Sequence, residues 1–210
     1  MTLTAEVANN TWNYNISGTA TPVGGGAAQP ISGTATAKVI SMTFNSNTVP
    51  AFQIVSNISV NGGPSTPVTV TYYFQQDGNN DIIELGQSHT DSSGTTTKTV
   101  TAPSQANSEI FPGTFSNGET VTETINFTDT TSENYELVIG SPARENTPAG
   151  TFNTWPATIT IGGVANGTQF WDPAIGFFVA GNIITVSEVG ATTYSLNISY
   201  SLTSTNVSPG

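Results

Sequence analysis

The densest set of metal-capable side chains in the sequence is Asp77-Gly78-Asn79-Asn80-Asp81-Ile82-Ile83-Glu84. Oxygen donors at alternate positions, a glycine in the turn and a carboxylate beyond it can wrap a hard cation such as Ca2+. The run falls short of an EF-hand loop, so the expectation is a β-turn calcium site with Asp77, Asn79, Asp81 and Glu84 as ligands. The same residues also satisfy plain turn chemistry. Asp-Gly is a preferred hairpin turn, and here it would join residues 72–76 to residues 82–85.

The three tryptophans are the second set. Trp155-Pro156 and Trp171-Asp172-Pro173 stand beside turns, where an exposed indole can stack on a sugar face. Asp172 or Asn153 would then supply the hydrogen bond, so Trp155, Trp171 and Asp172 are candidate carbohydrate-binding residues. Tryptophans in such places also cap the end of a β-core. Trp12, in alternation with Tyr14 and Ile16, reads as core.

Catalysis has thin support. His89 is the only histidine, and its neighbour Asp91 is on the same side of a strand without being placed to orient it. Two carboxylates flanking a sugar suffice for glycoside hydrolysis, and Glu123, Glu136 and Glu188 are the strand-borne candidates. Nothing in the spacing selects a pair. No nucleophile elbow, phosphate-binding glycine loop or zinc-type spacing occurs. The expectation is a protein without enzymatic activity.

The elements that position these groups are strands. From Tyr194 to Leu202 the apolar residues Tyr194, Leu196, Ile198, Tyr200 and Leu202 alternate with Ser195, Asn197, Ser199 and Ser201. That period of two marks a strand with one buried face. The apolar run Ile175–Ala180 precedes it, and the whole stretch 167–202 is the centre of the predicted core. Ile40, Met42 and Phe44 share one face, as do Val68, Val70, Tyr72 and Phe74. The hexapeptide Ile16-Ser-Gly-Thr-Ala-Thr21 recurs as Ile31-Ser-Gly-Thr-Ala-Thr36 across a Gly-rich connection, which suggests two strands paired as a hairpin. Asn117-Gly118 is a second hairpin signal, between Phe115 and the alternation of residues 120–128. Residues 87–107 read as a mobile loop or an edge hairpin. No window combines helical periodicity with helix-forming composition.

Roughly ten to twelve short strands at this spacing predict an all-β antiparallel sandwich of jelly-roll type with essentially no helix. One domain over residues 1–210 is the preferred organisation, with 141–150 as the one candidate junction.

Composition narrows the function. Only 8% of the residues are charged, while Thr, Ser and Asn number 36, 21 and 20. Three basic residues (Lys38, Lys98 and Arg144) face 14 acids, for a net charge of −11, which argues against nucleic-acid binding. Eleven of the acids lie in residues 77–145. There is no cysteine, so disulfides and thiolate chemistry are excluded. No apolar run is long enough for a transmembrane helix, and MTLTAEVANN has neither the basic nor the apolar part of a signal peptide. Seven Asn-x-Ser/Thr sequons (Asn9, Asn15, Asn57, Asn126, Asn166, Asn197 and Asn206) are close to the number chance provides in so Ser/Thr-rich a chain.

The Lys-poor, Thr/Asn/Gly-rich composition points to an extracellular or surface-exposed protein. The leading expectation is a non-enzymatic surface or assembly subunit (an appendage, adhesin or coat protein). It would associate with itself or with other surface proteins, residues 1–8 being a strand that could add to a neighbour's sheet. A lectin-like module that binds glycans through the tryptophans and calcium is the alternative. A pore-forming toxin using the Ser/Thr-rich alternation of residues 87–131 comes third, although Glu123 interrupts its would-be lipid face.

Overall fold

The computed structural model describes residues 8–189 and 192–207, which form fourteen strands and one four-residue helix. The proposed strand donor at residues 1–8 therefore lies almost entirely outside the described residues. Six strands follow one another as a meander: β1 (Thr11–Pro22), β2 (Gln29–Phe44), β3 (Asn47–Val60), β4 (Thr66–Gln76), β5 (Ile82–Asp91) and β6 (Gly94–Thr99). Helix α1 (Gln105–Ser108) and the short β7 (Glu109–Phe111) come next. The rest is β8 (Thr120–Asn126), β9 (Ser132–Ile139), β10 (Ala143–Thr147), β11 (Gly150–Ile161), β12 (Val164–Asp172), β13 (Phe177–Val189) and β14 (Thr192–Thr205).

The all-β, antiparallel expectation is met, but two packed sheets are not what forms. The strands make one continuous sheet in the order β6-β5-β4-β3-β2-β1-β14-β13-β12-β11-β9-β8, with β7 added beside β5 and β10 beside β11. Its two ends meet. Val100, just past β6, bridges Phe127, just past β8, and two backbone hydrogen bonds hold them: Thr101 N–H to the Asn126 carbonyl at 2.7 Å and Thr128 N–H to the Thr99 carbonyl at 2.9 Å. A right-twisted sheet of this many strands curls, and curling until its edges touch removes most of the unpaired edge. The result is barrel-like.

Two signals explain how the wall bends. The repeated hexapeptides do pair, β1 against β2, and their register sets Ile16 opposite Gly33 and Gly18 opposite Ile31. Each glycine is where a neighbouring backbone crowds in. A Cβ on Gly33 would stand 2.2 Å from the Asn57 carbonyl oxygen, and one on Gly18 would stand 2.0 Å from that of Asn197. Only glycine permits such close approach, and glycines at these points let adjacent strands coil tightly. The second signal is a bulge in β5. Tyr73 faces Gly86 while Phe74 faces Glu84, which leaves Leu85 as an extra residue. Bulges re-aim the side chains around them.

The closing strand fulfils its alternation. Leu196, Ile198 and Leu202 are buried between outward serines and asparagines. Strand β2 turns the other way from a simple hydrophobicity rule. Its small residues Ala35, Ala37 and Val39 face the interior cluster, while Ile40, Met42 and Phe44 pack on the opposite face with Ala51, Tyr73 and Leu85. Residues 87–107 include the β5–β6 edge hairpin rather than a loop. Asn117-Gly118 is a turn, but it joins no hairpin. Strand β8 pairs with β9, and the chain before the turn pairs β7 with β5. The stretch 141–150 is built into the wall, since β10 pairs with β11 and the Ala149 amide donates to the Leu202 carbonyl at 3.1 Å.

One end of the barrel is closed by these insertions. Residues 100–119 and the β10–β11 hairpin cover it, and beneath them Trp12, Phe74, Phe115, Leu137, Trp171 and Ile175 are fully buried. Among the described residues, the opposite end, bearing the β1–β2, β3–β4 and β11–β12 turns, has no such cover.

Candidate functional site: the interior cavity

Inward-facing side chains fill the closed half of the barrel and stop short of the open half. A cavity of about 380 Å³ remains there. A wall of around eight strands leaves space only for side chains or one small ligand. Twelve strands in sequence leave more, and the inward residues of β1 and β2 include the alanines Ala20, Ala35 and Ala37. The wall is mostly aliphatic and aromatic: Ile16, Ile54, Ile58, Val70, Ile110, Ile125, Ile159, Ile161, Ile183 and Ile198, with Phe52, Phe177, Phe178 and Trp171. Ile58 and Ile161, near the ends of β3 and β11, and Ile183 of β13 are half-buried where the cavity meets the open end.

Two sets of polar groups stand on or beside this wall. Three tyrosines are tied to their neighbours: Tyr14 Oη donates to the Phe178 carbonyl, Tyr135 Oη to the Ile110 carbonyl and Tyr200 Oη to Gln169 Oε1, each at 2.7 Å. They present ring faces and edges rather than free hydroxyls. The second set lies on β5, β6 and β9. Lys98 Nζ is 3.2 Å from Glu133 Oε1, and Gln87 Nε2 donates to the same oxygen at 3.4 Å. Lys98 also stands 4.8 Å above the Phe127 ring, at the seam where the sheet closes.

Glu84 is the exception. It is 4% exposed, lines the cavity, and its Oε1 has no hydrogen-bond partner. The β5 bulge puts it there, because Glu84 and Gln87 differ in parity and both turn inward only with Leu85 inserted between them. A buried carboxylate without a partner is costly, so the group holds its proton more firmly. Burial, reinforced by the charge of Glu133 and opposed by Lys98, pushes its pKa up to about 7. The same surroundings push Tyr72 up to about 12, burial again leading.

The four residues expected to hold calcium are divided by this arrangement. Asp77 Oδ1 accepts the amides of Asn79 at 2.8 Å and Asp81 at 3.0 Å, which is turn chemistry. Asp81 fastens the insertion that closes the barrel, accepting Gln105 Nε2 at 2.6 Å and the Gly113 amide at 2.5 Å. Asn79 is exposed, and Glu84 points into the cavity. Among the described residues no group of three or more acidic or histidine side chains is gathered as a metal would need. Asp81 and Asn79 do line an open surface cleft with Glu109, Glu119 and Glu123. There burial, and then the charge of Asp81, pushes Glu109 up to about 7.

The sugar-binding trio does converge, but inward. Trp155 and Trp171 are cross-strand partners on β11 and β12. Trp171 is 1% exposed and stacks on Phe111 with ring centroids 4.5 Å apart, so it offers no free face at the surface. Asp172 is buried and accepts the Ala174 amide at 2.8 Å, holding the turn into β13. Burial raises its pKa against the pull of those backbone bonds. Trp12 is fully buried, stacked 4.7 Å from Phe177.

Among the described residues, the remaining candidates lie apart from one another, His89 and Asp91 excepted. His89 Nε2 lies 3.2 Å from Asp91 Oδ2 at the surface, and Asp91 is engaged by Ser93, whose hydrogen bonds lower its pKa. Glu136 faces outward, Glu123 is partly buried in the surface cleft, and the side chain of Glu188 lies outside the described part of the structure. One signal for the polar cluster was present in the sequence. Glu133 is in phase with Tyr135, Leu137 and Ile139, the buried face of β9, which marks an acid aimed at the interior.

Fold and site together define an antiparallel barrel-like protein with an apolar internal cavity and one unpaired acid in its wall. No protein-family model matches the chain, and no curated protein matches it in sequence. Among solved structures it is similar to a β-barrel-like protein of a domain of unknown function from Brucella abortus, with TM-score 0.45 and 8% identity over 95% of this chain and 99% of that one. It is also similar to a candidate lipoprotein from Parabacteroides distasonis (TM-score 0.40, 11% identity, 98% and 99% covered). A third likeness is to a candidate exported protein with a YmcC-like fold from Bacteroides fragilis (TM-score 0.35, 10% identity, 98% and 99% covered). No helix among the described residues is long and apolar enough to cross a membrane.

Proposed function

We propose that the protein is a non-enzymatic binding protein that houses an apolar ligand inside its barrel, in a surface or extracellular setting. The observation that carries this reading is the cavity itself. About 380 Å³ of space bounded by isoleucine, phenylalanine and tyrosine side chains lies within the range of roughly 300–1,000 Å³ typical of small-molecule sites. Transfer of an apolar chain from water to such a wall is favourable, at roughly 25 cal/mol per Å² removed from water. The half-buried isoleucines at the open end give the ligand a way in, while the closed end is filled. The setting is supported by the low-charge, Thr- and Asn-rich composition.

The test is fluorescence titration with N-phenyl-1-naphthylamine, a neutral apolar probe that brightens on leaving water. The expected result is saturable binding of one probe per chain. Ile54→Trp, which puts a large ring into the cavity from the middle of β3, should weaken binding at least roughly tenfold without altering the circular dichroism spectrum. A wild-type protein that gives no saturable signal defeats the reading.

A further inference from the structure

We propose that the ligand of this cavity is a long-chain amine, an apolar chain ending in a protonated nitrogen that is received by the carboxyl of Glu84. This assignment rests on the reading of the cavity as a ligand site and specifies the chemistry of its head group.

Three observations lead to it. The tyrosine hydroxyls of Tyr14, Tyr135 and Tyr200 already have protein partners, so they ask nothing of a ligand. Glu84 Oε1, buried and in the cavity wall, is without one. The charges around it are also unbalanced. Glu84 is coupled to the charges of Glu133 and Lys98, and Tyr72 and Tyr135 feel its own charge. Two carboxylates thus share a single ammonium, and that ammonium is engaged with Glu133 at 3.2 Å.

An anionic head, such as a fatty-acid carboxylate or a phosphate, would add a third negative group to this corner with no free cation to meet it. A neutral alcohol could hydrogen-bond to Glu84 but would leave the charge as it was. An alkylammonium does both things required. Its N–H donates to Oε1, and its charge lets Glu84 ionise. Below neutral pH the step is balanced by a proton: protonated Glu84 gives its proton to solvent as the ammonium enters, and the bound pair is carboxylate and ammonium. Without a ligand, the site neutralises itself by keeping Glu84 protonated.

The experiment is displacement of N-phenyl-1-naphthylamine by dodecylamine, dodecanol and dodecanoate, each below its micellar concentration, from the wild-type chain and from Glu84→Gln. Dodecylamine is expected to compete at least roughly tenfold better than either of the others on the wild type, as a charge-assisted hydrogen bond in a buried site implies. In Glu84→Gln, which keeps shape and removes charge, the advantage should fall below about threefold, each competitor being read relative to the probe's own affinity for that variant. The overall acidity of the chain is almost unchanged in that variant, so a non-specific attraction for cations would survive it. Equal competition by all three amphiphiles, or an advantage that persists in Glu84→Gln, overturns the assignment and leaves the cavity reading standing. Failure of the probe to bind the wild type strikes the cavity reading itself. A second measurement needs no variant. At pH 6 the heat of dodecylamine binding to the wild type should change with the ionisation enthalpy of the buffer, because a proton is released, and at pH 8.5 it should not. Buffer-independent heat at pH 6 also overturns the assignment.

Discussion

Glu84 leaves a mark on stability whether or not a ligand is bound. Its carboxyl is pushed up from 4.5 to about 7, so the folded protein binds this proton more tightly than the unfolded chain does. The sign follows: Glu84 takes nothing from stability below about pH 4.5, and its burial costs progressively more as pH rises to about 7. A shift of this size corresponds to about 3–4 kcal/mol. Glu84→Gln should therefore gain about 3–4 kcal/mol over wild type at pH 8 and under about 1 kcal/mol at pH 5, measured by urea denaturation at both values. A difference that does not change with pH would mean that Glu84 is hydrated or paired in solution. Lys98 and Glu133, both about one-third exposed, are a pair of a different kind. Lys98→Met should cost less than about 1 kcal/mol.

At the level of strands, the paired hexapeptides make a sharp prediction. Gly33→Ala places a methyl group 2.2 Å from the Asn57 carbonyl oxygen, too close to be absorbed without separating β2 from β3. The expected loss is about 1–3 kcal/mol, seen as a lower urea midpoint. Gly24→Ala, in the connection between the two copies, meets nothing within 4 Å and should stay within about 0.5 kcal/mol. The repeat shows how far sequence reading reaches. The repetition, the turn between its copies and the period-two pattern of Tyr194–Leu202 are local, and the strands they predict are present. The choice between two packed sheets and one curled sheet is made by long-range pairings such as β1 with β14 and Val100 with Phe127. No local pattern encodes those pairings. The candidate site was obscured for a related reason. Position 84 sits beside a turn whose residue types suit a metal, while its direction depends on an extra residue at Leu85 that the period-two rule does not anticipate.

The molecule as a whole is closed by one short contact. In the pattern of hydrogen bonds around Val100 and Phe127, the two residues face each other without exchanging hydrogen bonds of their own. Such pairs stand about 4.5 Å apart at Cα, within reach of a disulfide. Because the chain has no cysteine of its own, Val100→Cys with Phe127→Cys provides an unambiguous test of closure. The bond should form in air. The oxidised form should be more stable than the reduced form of the same variant by about 3–4 kcal/mol, as the loop between the two positions implies. Two thiols that remain free under oxidising conditions would show that the edges do not meet in solution.

The strand order also fixes a sequence of events in time. Strand β1 pairs with β14 along nearly its whole length, from Trp12 opposite Thr205 to Pro22 opposite Tyr194. On the ribosome, β1 to β6 can zip together as each successive strand emerges, but the outer side of β1 has no partner until the last strand is made. A half-finished chain therefore carries a long bare edge through most of its synthesis, the condition under which strands recruit the wrong neighbour. The strand that joins the two halves is also the one that ends this exposure.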